Sequence, residues 1–167
     1  MLRRVLAALA VLSVGVAVAP TMVSAVAQGS EAPMKTTRSA WFKHQPWNSN
    51  LPEVKKTGSG LEYVVISSGP ASGATAKVNQ AVQLWYEGRR NTGGPAFDSS
   101  FQRGKSDVFG VAELVPGFSE ALQLMRPGDR WLVYIPSTLA YGDRGVPGMI
   151  GPGESLLFEI HLVSAAG

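Results

Sequence analysis

Apolar and polar residues alternate with a period of two over several short stretches of the chain. Trp131, Val133 and Ile135 interleave with Leu132 and Tyr134, and Leu156, Phe158, Ile160 and Leu162 interleave with Leu157, Glu159 and His161. Such alternation predicts half-buried strands. A β-branched run over Leu61–Ser67 predicts another. Gln80–Gly88 sets Val82, Leu84 and Tyr86, as the inward set, against Gln83, Trp85 and Glu87. Shorter edges are expected at Phe97–Ser100 and Val108–Val111, with turn clusters over Gly69–Ala76 and Arg89–Pro95. One stretch has a different period. Phe118, Ala121, Leu122 and Met125 recur at i, i+3, i+4 and i+7, Pro116 stands where a helix starts, and Pro127-Gly128 ends it. So short a helix needs a sheet to cover its apolar stripe. The expectation is an α+β domain in which a curved antiparallel sheet of about five strands wraps one short helix.

The last two strands are joined by a long connection, Pro136 to Glu154, rich in glycine and proline, whose charges are Asp143, Arg144 and Glu154. Connections of this length are functional or disordered. This one, with Leu139, Tyr141, Val146, Met149 and Ile150, is too apolar for a solvated tether and reads as a structured loop over the sheet.

A chain of 167 residues with 45% hydrophobic and 16% charged positions can bury one sizeable core. Residues 1–27 read as a signal peptide: a basic start at Met1–Arg4, an apolar run over Val5–Ala19, and a small-x-small cleavage site at Ala25-Val26-Ala27. Pro20 ends the apolar run, and its 15 residues are short for a membrane-spanning helix, so cleavage near Ala27 is expected rather than an anchor. The mature chain is then exported, periplasmic or secreted, with no stable membrane insertion. The formal charge of +3 includes Arg3 and Arg4, and without them it is +1, which makes no electrostatic case for nucleic acid. Cysteine is absent, which excludes disulfides and thiol nucleophiles. Residues 28–58 show no sustained period and read as a tail or linker ahead of a domain at 59–167. Trp41, Phe42 and Trp47 are anomalous in a tail, and either dock on the domain or contact a partner.

The chemistry narrows by subtraction. Of the two histidines, His44 lies in the tail and His161 on the outward phase of the last strand, so both read as surface residues serving neither a nucleophile nor a metal. The glycine-rich segments lack the Lys-Ser/Thr and strand-to-helix context of a phosphate loop. Hydrolysis, phosphoryl transfer and redox cofactor chemistry are therefore poorly supported.

Several separated motifs carry a resemblance. LAYGDRG, the Gly148-Met149-Ile150-Gly151-Pro152 run and LLFEIHLV are similar to the C-terminal signature of the FKBP-type peptidyl-prolyl isomerases, the macrolide-binding immunophilins. The likeness extends back through PGFSEALQLMRPGDRWLVYIP, FDSS at Phe97–Ser100 and WYEG at Trp85–Gly88 to SGLEY at Ser59–Tyr63. It implies the same sheet-around-helix fold, proline-containing polypeptides as substrates, macrolide inhibitors as a further ligand class, and neither cofactor nor metal. Some exported relatives carry a long helical dimerisation domain ahead of this one. The short segment here points to a monomer.

Rotation about an X–Pro amide is slow because the C–N bond has partial double-bond character, with a barrier of roughly 18–20 kcal/mol. No bond is broken, so an apolar cradle that desolvates the amide and favours its twisted form is sufficient. Carried over position by position, the resemblance assigns Tyr86, Phe97, Leu114, Val115, Phe118, Ile150 and Phe158 to the cradle, with Met149 and Arg103 beside it. Phe118 is its floor, and Tyr86, Phe97 and Phe158 are its walls. The two catalytic candidates are Asp98, at the rim and oriented by Tyr86 and Arg103, and Tyr141, whose hydroxyl would donate to a substrate carbonyl. Each has a plainer reading: Asp98 as a turn residue, Tyr141 as a loop anchor, the phenylalanines as core. Phe118 stands where many members have tryptophan, and Asp107 adds a second carboxylate near the mouth. A polypeptide-binding chaperone or an interaction module using the same groove are the alternative functions.

Overall fold

Leu156, Phe158, Ile160 and Leu162 face one side of the longest strand and are fully buried, and the sheet is built outward from them. The computed structural model describes residues 36–166. Its seven strands are β1 (Lys55–Lys56), β2 (Glu62–Ser67), β3 (Ala81–Arg90), β4 (Asp98–Ser99), β5 (Asp107–Gly110), β6 (Arg130–Ile135) and β7 (Leu156–Ala166). All pair antiparallel in the order β1-β2-β6-β7-β3-β4, with β5 also on β3. Seven strands are more than the expected five. β4 lies within the short edge expected at Phe97–Ser100, whereas β1 has two residues, too few for an alternation to register. Register shifts at Val65/Ser67 and Gln83/Leu84 add the local twist that curves the sheet.

The helix expected at Pro116 is present as Pro116–Leu124, with proline in its first turn. It stops at Met125, which is extended, two residues before Pro127, whose ring disfavours helix at Arg126. Phe118, Ala121, Leu122 and Met125 are fully buried in one apolar cluster with Val82, Leu84, Tyr86, Val133 and the inward residues of β7. The inward phase read for β3 is therefore the observed one.

The outer face departs from the sequence reading. Leu132 and Leu157, on the outward phase of β6 and β7, are fully buried in a second cluster with Trp41, and Trp47, Ile66 and Tyr134 pack against it. The cover is residues 36–58, the described part of the stretch 28–58 read as a tail or linker. It forms a helix, Arg38–His44, and then β1. The helix has two turns and buries only Trp41 and His44, too short a stripe to give a period. Glu159, placed on the outward phase, is fully buried beneath this cover. Its carboxylate accepts from the backbone N–H of Thr37 at the helix start, 2.9 and 3.0 Å, and from Arg130 Nε at 2.7 Å. A carboxylate at a helix N-terminus also meets the positive end of the dipole. Trp85 and Glu87 are buried too: a short helical turn, Ser100–Arg103, lays Phe101 against Trp85 at 5.8 Å, and Ser99 Oγ donates to Glu87 at 2.9 Å.

His161 is half-buried, but His44 is not a surface residue: it is only 3% exposed, its ring lies tilted beside that of Trp47 at 5.6 Å, and it lies 3.7 Å from Glu53. The segment read as a signal peptide lies outside the described residues. No helix among the described residues is long and apolar enough to cross a membrane.

Burial lowers the His44 pKa below 6.5, Glu53 opposes the shift and Lys43 adds to it. The unfolded chain therefore takes up this proton at higher pH than the folded one, and stability declines as pH falls below 6.5. Urea midpoints at about pH 8 and about pH 5 are expected to differ less in His44→Gln than in the parent. An unchanged difference would assign the acid sensitivity to other groups.

Candidate active site

Four aromatic rings descend from the sheet rim to the helix. Phe97 meets Phe158 edge-on at 5.6 Å and 84°, Phe158 meets Phe118 at 5.0 Å and 84°, and Phe118 meets Tyr86 at 6.4 Å and 89°. Edge-to-face contact sets the positive edge of one ring against the negative face of the next, so the chain of rings holds itself at right angles. Tyr86, Phe118 and Phe158 are fully buried while Phe97 is half-buried at the rim. Gly88, opposite Phe158 in the β3–β7 register, makes this possible: a Cβ there would lie 2.5 Å from the Phe158 ring and 2.6 Å from that of Phe97. Leu114, Tyr141 and Ile150 belong to the same apolar cluster, and Val115 and Met149 pack at its margin.

The polar groups are confined to one end. Tyr86 Oη donates to Asp98 Oδ2 at 2.7 Å, Arg103 Nη1 donates to Asp98 Oδ1 at 2.5 Å, and Arg103 Nη2 reaches Tyr86 Oη at 2.9 Å. Arg103 Nη2 also donates to Asp107 Oδ2 at 2.5 Å, so one guanidinium bridges two carboxylates. The turn that presents Arg103 is capped by Ser99 Oγ, which accepts from Gln102 N, and closes at Gly104 in the left-handed region with φ of 67°. Ser100 Oγ accepts from Tyr86 N at 2.8 Å, which ties this turn to the strand beneath it.

These contacts set the protonation states. Burial raises the Tyr86 pKa far above the tyrosine range, Asp98 adds to the rise, and Arg103 partly opposes it. Burial works against the Arg103 charge, but bonds to Asp98, Tyr86 and Asp107 outweigh it and hold its pKa above the ordinary value. Tyr141 is pushed up to about 12, first by burial and then by the charge of Asp98. Tyr141 therefore lies within the field of Asp98.

The connection that carries Tyr141 and Ile150 is ordered by its own backbone. Gly145 N donates to Tyr141 O at 3.1 Å, and Val146 and Ile150 exchange N–H···O bonds of 2.8 and 2.9 Å. Gly145 has φ of 60°, and a Cβ there would stand 2.3 Å from Ile150 O, so only glycine fits. Glu154 accepts from Gly151 N and from Thr92 Oγ1, both at 2.8 Å, and thus pins the loop to the turn between β3 and β4.

All eleven residues assigned from the sequence thus lie in this core or on the polar network at its end. Three contributors were missed: Gly88 as a steric requirement, Ser100 as a backbone clamp, and Phe109, whose ring meets Tyr86 at 5.7 Å. Phe109 was accessible through its place in the Val108–Val111 edge. The other two depend on contacts between strands. Among the described residues there is no group of three or more His, Cys, Asp or Glu side chains able to hold a metal.

A family model described as FKBP-type peptidyl-prolyl cis-trans isomerase matches residues 73–163. The chain is 43% identical over 117 residues to the peptidyl-prolyl cis-trans isomerase Mip of Coxiella burnetii, covering 70% of this chain and 50% of that protein. It is 37% identical over 109 residues to the peptidyl-prolyl cis-trans isomerase FPR2 of Saccharomyces cerevisiae, covering 63% of this chain and 81% of the yeast protein. Among solved structures, FkpA from Escherichia coli superposes with a TM-score of 0.65 at 32% identity, over 70% of this chain and 53% of that one. A peptidyl-prolyl cis-trans isomerase from Pseudomonas syringae pv. tomato superposes with a TM-score of 0.66 at 29% identity, over 83% and 100%. The chain spans about half the length of Mip and of the outer membrane protein MIP of Legionella longbeachae.

Two outcomes test this geometry. Gly88→Ala is expected to force Phe97 and Phe158 apart and to lower stability by about 1–3 kcal/mol, read from the urea midpoint. Tyr141 stays protonated at pH 10, the ordinary tyrosine value, so Tyr141→Phe is expected to leave the phenolate absorbance at that pH unchanged. Because the unfolded phenol ionises first, Tyr141 lowers stability as pH rises above 10. A loss of phenolate signal in the variant would show that the buried hydroxyl titrates normally.

Proposed function

Because the chain belongs to the family of FKBP-type peptidyl-prolyl cis-trans isomerases, we propose that it accelerates rotation about X–Pro bonds in polypeptides, without covalent chemistry, in the aromatic cradle. The observation that carries this reading is the separation of an apolar floor from a polar rim. Phe118 and Phe158 form a buried apolar floor beneath the half-buried ring of Phe97, while Asp98, held by Tyr86 and Arg103, stands at one end. Twisting the amide uncouples nitrogen from carbonyl and makes the oxygen less polar, so removal of water favours the twisted form over the planar one. Tyr141, neutral at physiological pH because its pKa is about 12, would donate to a carbonyl of the bound chain and hold it in register. Asp98 would orient the reacting amide from the rim.

The relatives' names are those of isomerases, which favours turnover over holding alone. The signal-like composition of residues 1–27 supports an exported protein acting on exported polypeptides. The cradle also suits the apolar ring of a macrolide, with Phe118 as a smaller floor than tryptophan and correspondingly weaker hold.

Purified protein is expected to accelerate cis–trans exchange of an Ala-Phe-Pro-Phe peptide, measured by magnetisation exchange, with no effect of chelator. An unchanged exchange rate would remove the reading. If desolvation dominates, Asp98→Asn and Tyr141→Phe each cost about one hydrogen bond, roughly 0.5–1.5 kcal/mol, or about threefold to tenfold in rate. Phe158→Ala, compared at a temperature where it is folded, is expected to cost more, since it opens the wall to water. Complete inactivation of well-folded Asp98→Asn would show instead that the carboxylate charge is indispensable.

A further inference from the structure

Trp41 and Phe42 are not absorbed by the cradle, which lies on the other face of the sheet. Beside them a groove of about 440 Å³ opens between the N-terminal helix and the end of β3, lined by Arg38, Trp41, Phe42, Arg89 and Asn91 among others. Phe42 is 85% exposed, the most exposed large apolar side chain among the described residues. Arg89 stacks over the Trp41 ring at 4.6 Å and is paired with Glu87 at 2.7 Å. Arg38 is exposed in the first helical turn, where a cation opposes the dipole and gains nothing for the fold. No carboxylate is among the described residues that line the groove. Trp41, only 4% exposed, keeps its indole Nε1–H without an acceptor inside the protein. That indole is buried, so what the surface offers is positive charge beside the exposed ring of Phe42, which fits an extended acidic stretch bearing an aromatic residue.

We propose that this groove is a second polypeptide site, which holds an acidic, aromatic-bearing stretch of the same client whose proline sits in the cradle. The proposal rests on the isomerase reading and extends it to longer substrates. Gly93, on the groove, and Phe97, on the cradle rim, are four residues apart in one turn, so their Cα atoms lie within about 15 Å. A client stretch of a few extended residues spans that gap. Holding its far end raises the local concentration of its proline at the cradle without a new contact to the reacting amide.

The test compares Ala-Phe-Pro-Phe with the same peptide extended through Gly-Ser linkers of two, four or eight residues, at either end, to Glu-Phe-Glu-Glu or to Lys-Phe-Lys-Lys. The acidic extension is expected to lower KM about threefold to tenfold at the best linker length, with kcat unchanged. The basic one is expected to give no gain. Phe42→Ser and Arg38→Glu, both exposed substitutions, should each abolish the gain while leaving tetrapeptide kinetics as in the parent. In amide NMR spectra, Gly-Ser-Glu-Phe-Glu-Glu alone should shift Arg38–Phe42 and Asn91–Gly93, and these shifts should vanish in Phe42→Ser. Equal KM for all peptides, or a gain that survives both substitutions, would overturn the groove with the isomerase reading intact. No turnover of the tetrapeptide would remove the isomerase reading, and with it the coupling of groove to cradle, even if the amide shifts persist.

Discussion

The strand β7 is buried on both faces, and most of the structure is the consequence. Its inward side chains supply Phe158 to the cradle and Ile160 and Leu162 to the core beneath the helix. Its outward side chains include Leu157 and the carboxylate of Glu159, neither of which is exposed. An unpaired charge there would carry a desolvation cost of several kcal/mol. Arg130 from the neighbouring strand and the Thr37 N–H from the N-terminal helix answer it. The segment ahead of the sheet is thus held by an electrostatic contact as well as by Trp41 and Trp47.

That double burial explains how a small protein keeps a rigid aromatic site. Phe158 cannot move outward, because β7 is held by β6 on one side and β3 on the other, and it cannot tilt, because Phe97, Phe118 and the bare Cα of Gly88 surround it. The polar groups are excluded from this packing and gather at its end, where Arg103 is shared between Asp98 and Asp107. The connection over the site is ordered by backbone bonds and by Glu154 rather than by a large core of its own. Floor, rim and cover therefore owe their order to three kinds of interaction: ring packing, ion pairing and backbone hydrogen bonding.

The inner half of the fold was legible in the sequence. Period-two alternation in β6 and β7 and the i, i+3, i+4, i+7 stripe from Phe118 to Met125 reflect one apolar face each, and a face that meets one core leaves a period. The separated motifs that resemble the isomerase family pointed to residues that the structure gathers in one apolar cluster and its polar end, because each motif keeps the side chains that one strand or turn sends to that place. The outer half was not legible. Leu132, Leu157, Trp85 and Glu159 occupy the polar phase of their strands, and their burial depends on a segment far away in the chain with no period of its own.

The sequence by itself determined the strands β2 to β7, the one substantial helix, the aromatic and carboxylate inventory of the candidate site and the family resemblance, because these are written in local spacing and residue type. Only the tertiary structure decided that residues 36–58 cover the sheet, that His44 and Glu159 are buried, that Gly88 must lack a side chain and that Arg103 joins two carboxylates. Each of these depends on atoms brought together from distant positions, and no local pattern encodes which distant surface a short two-turn helix will find.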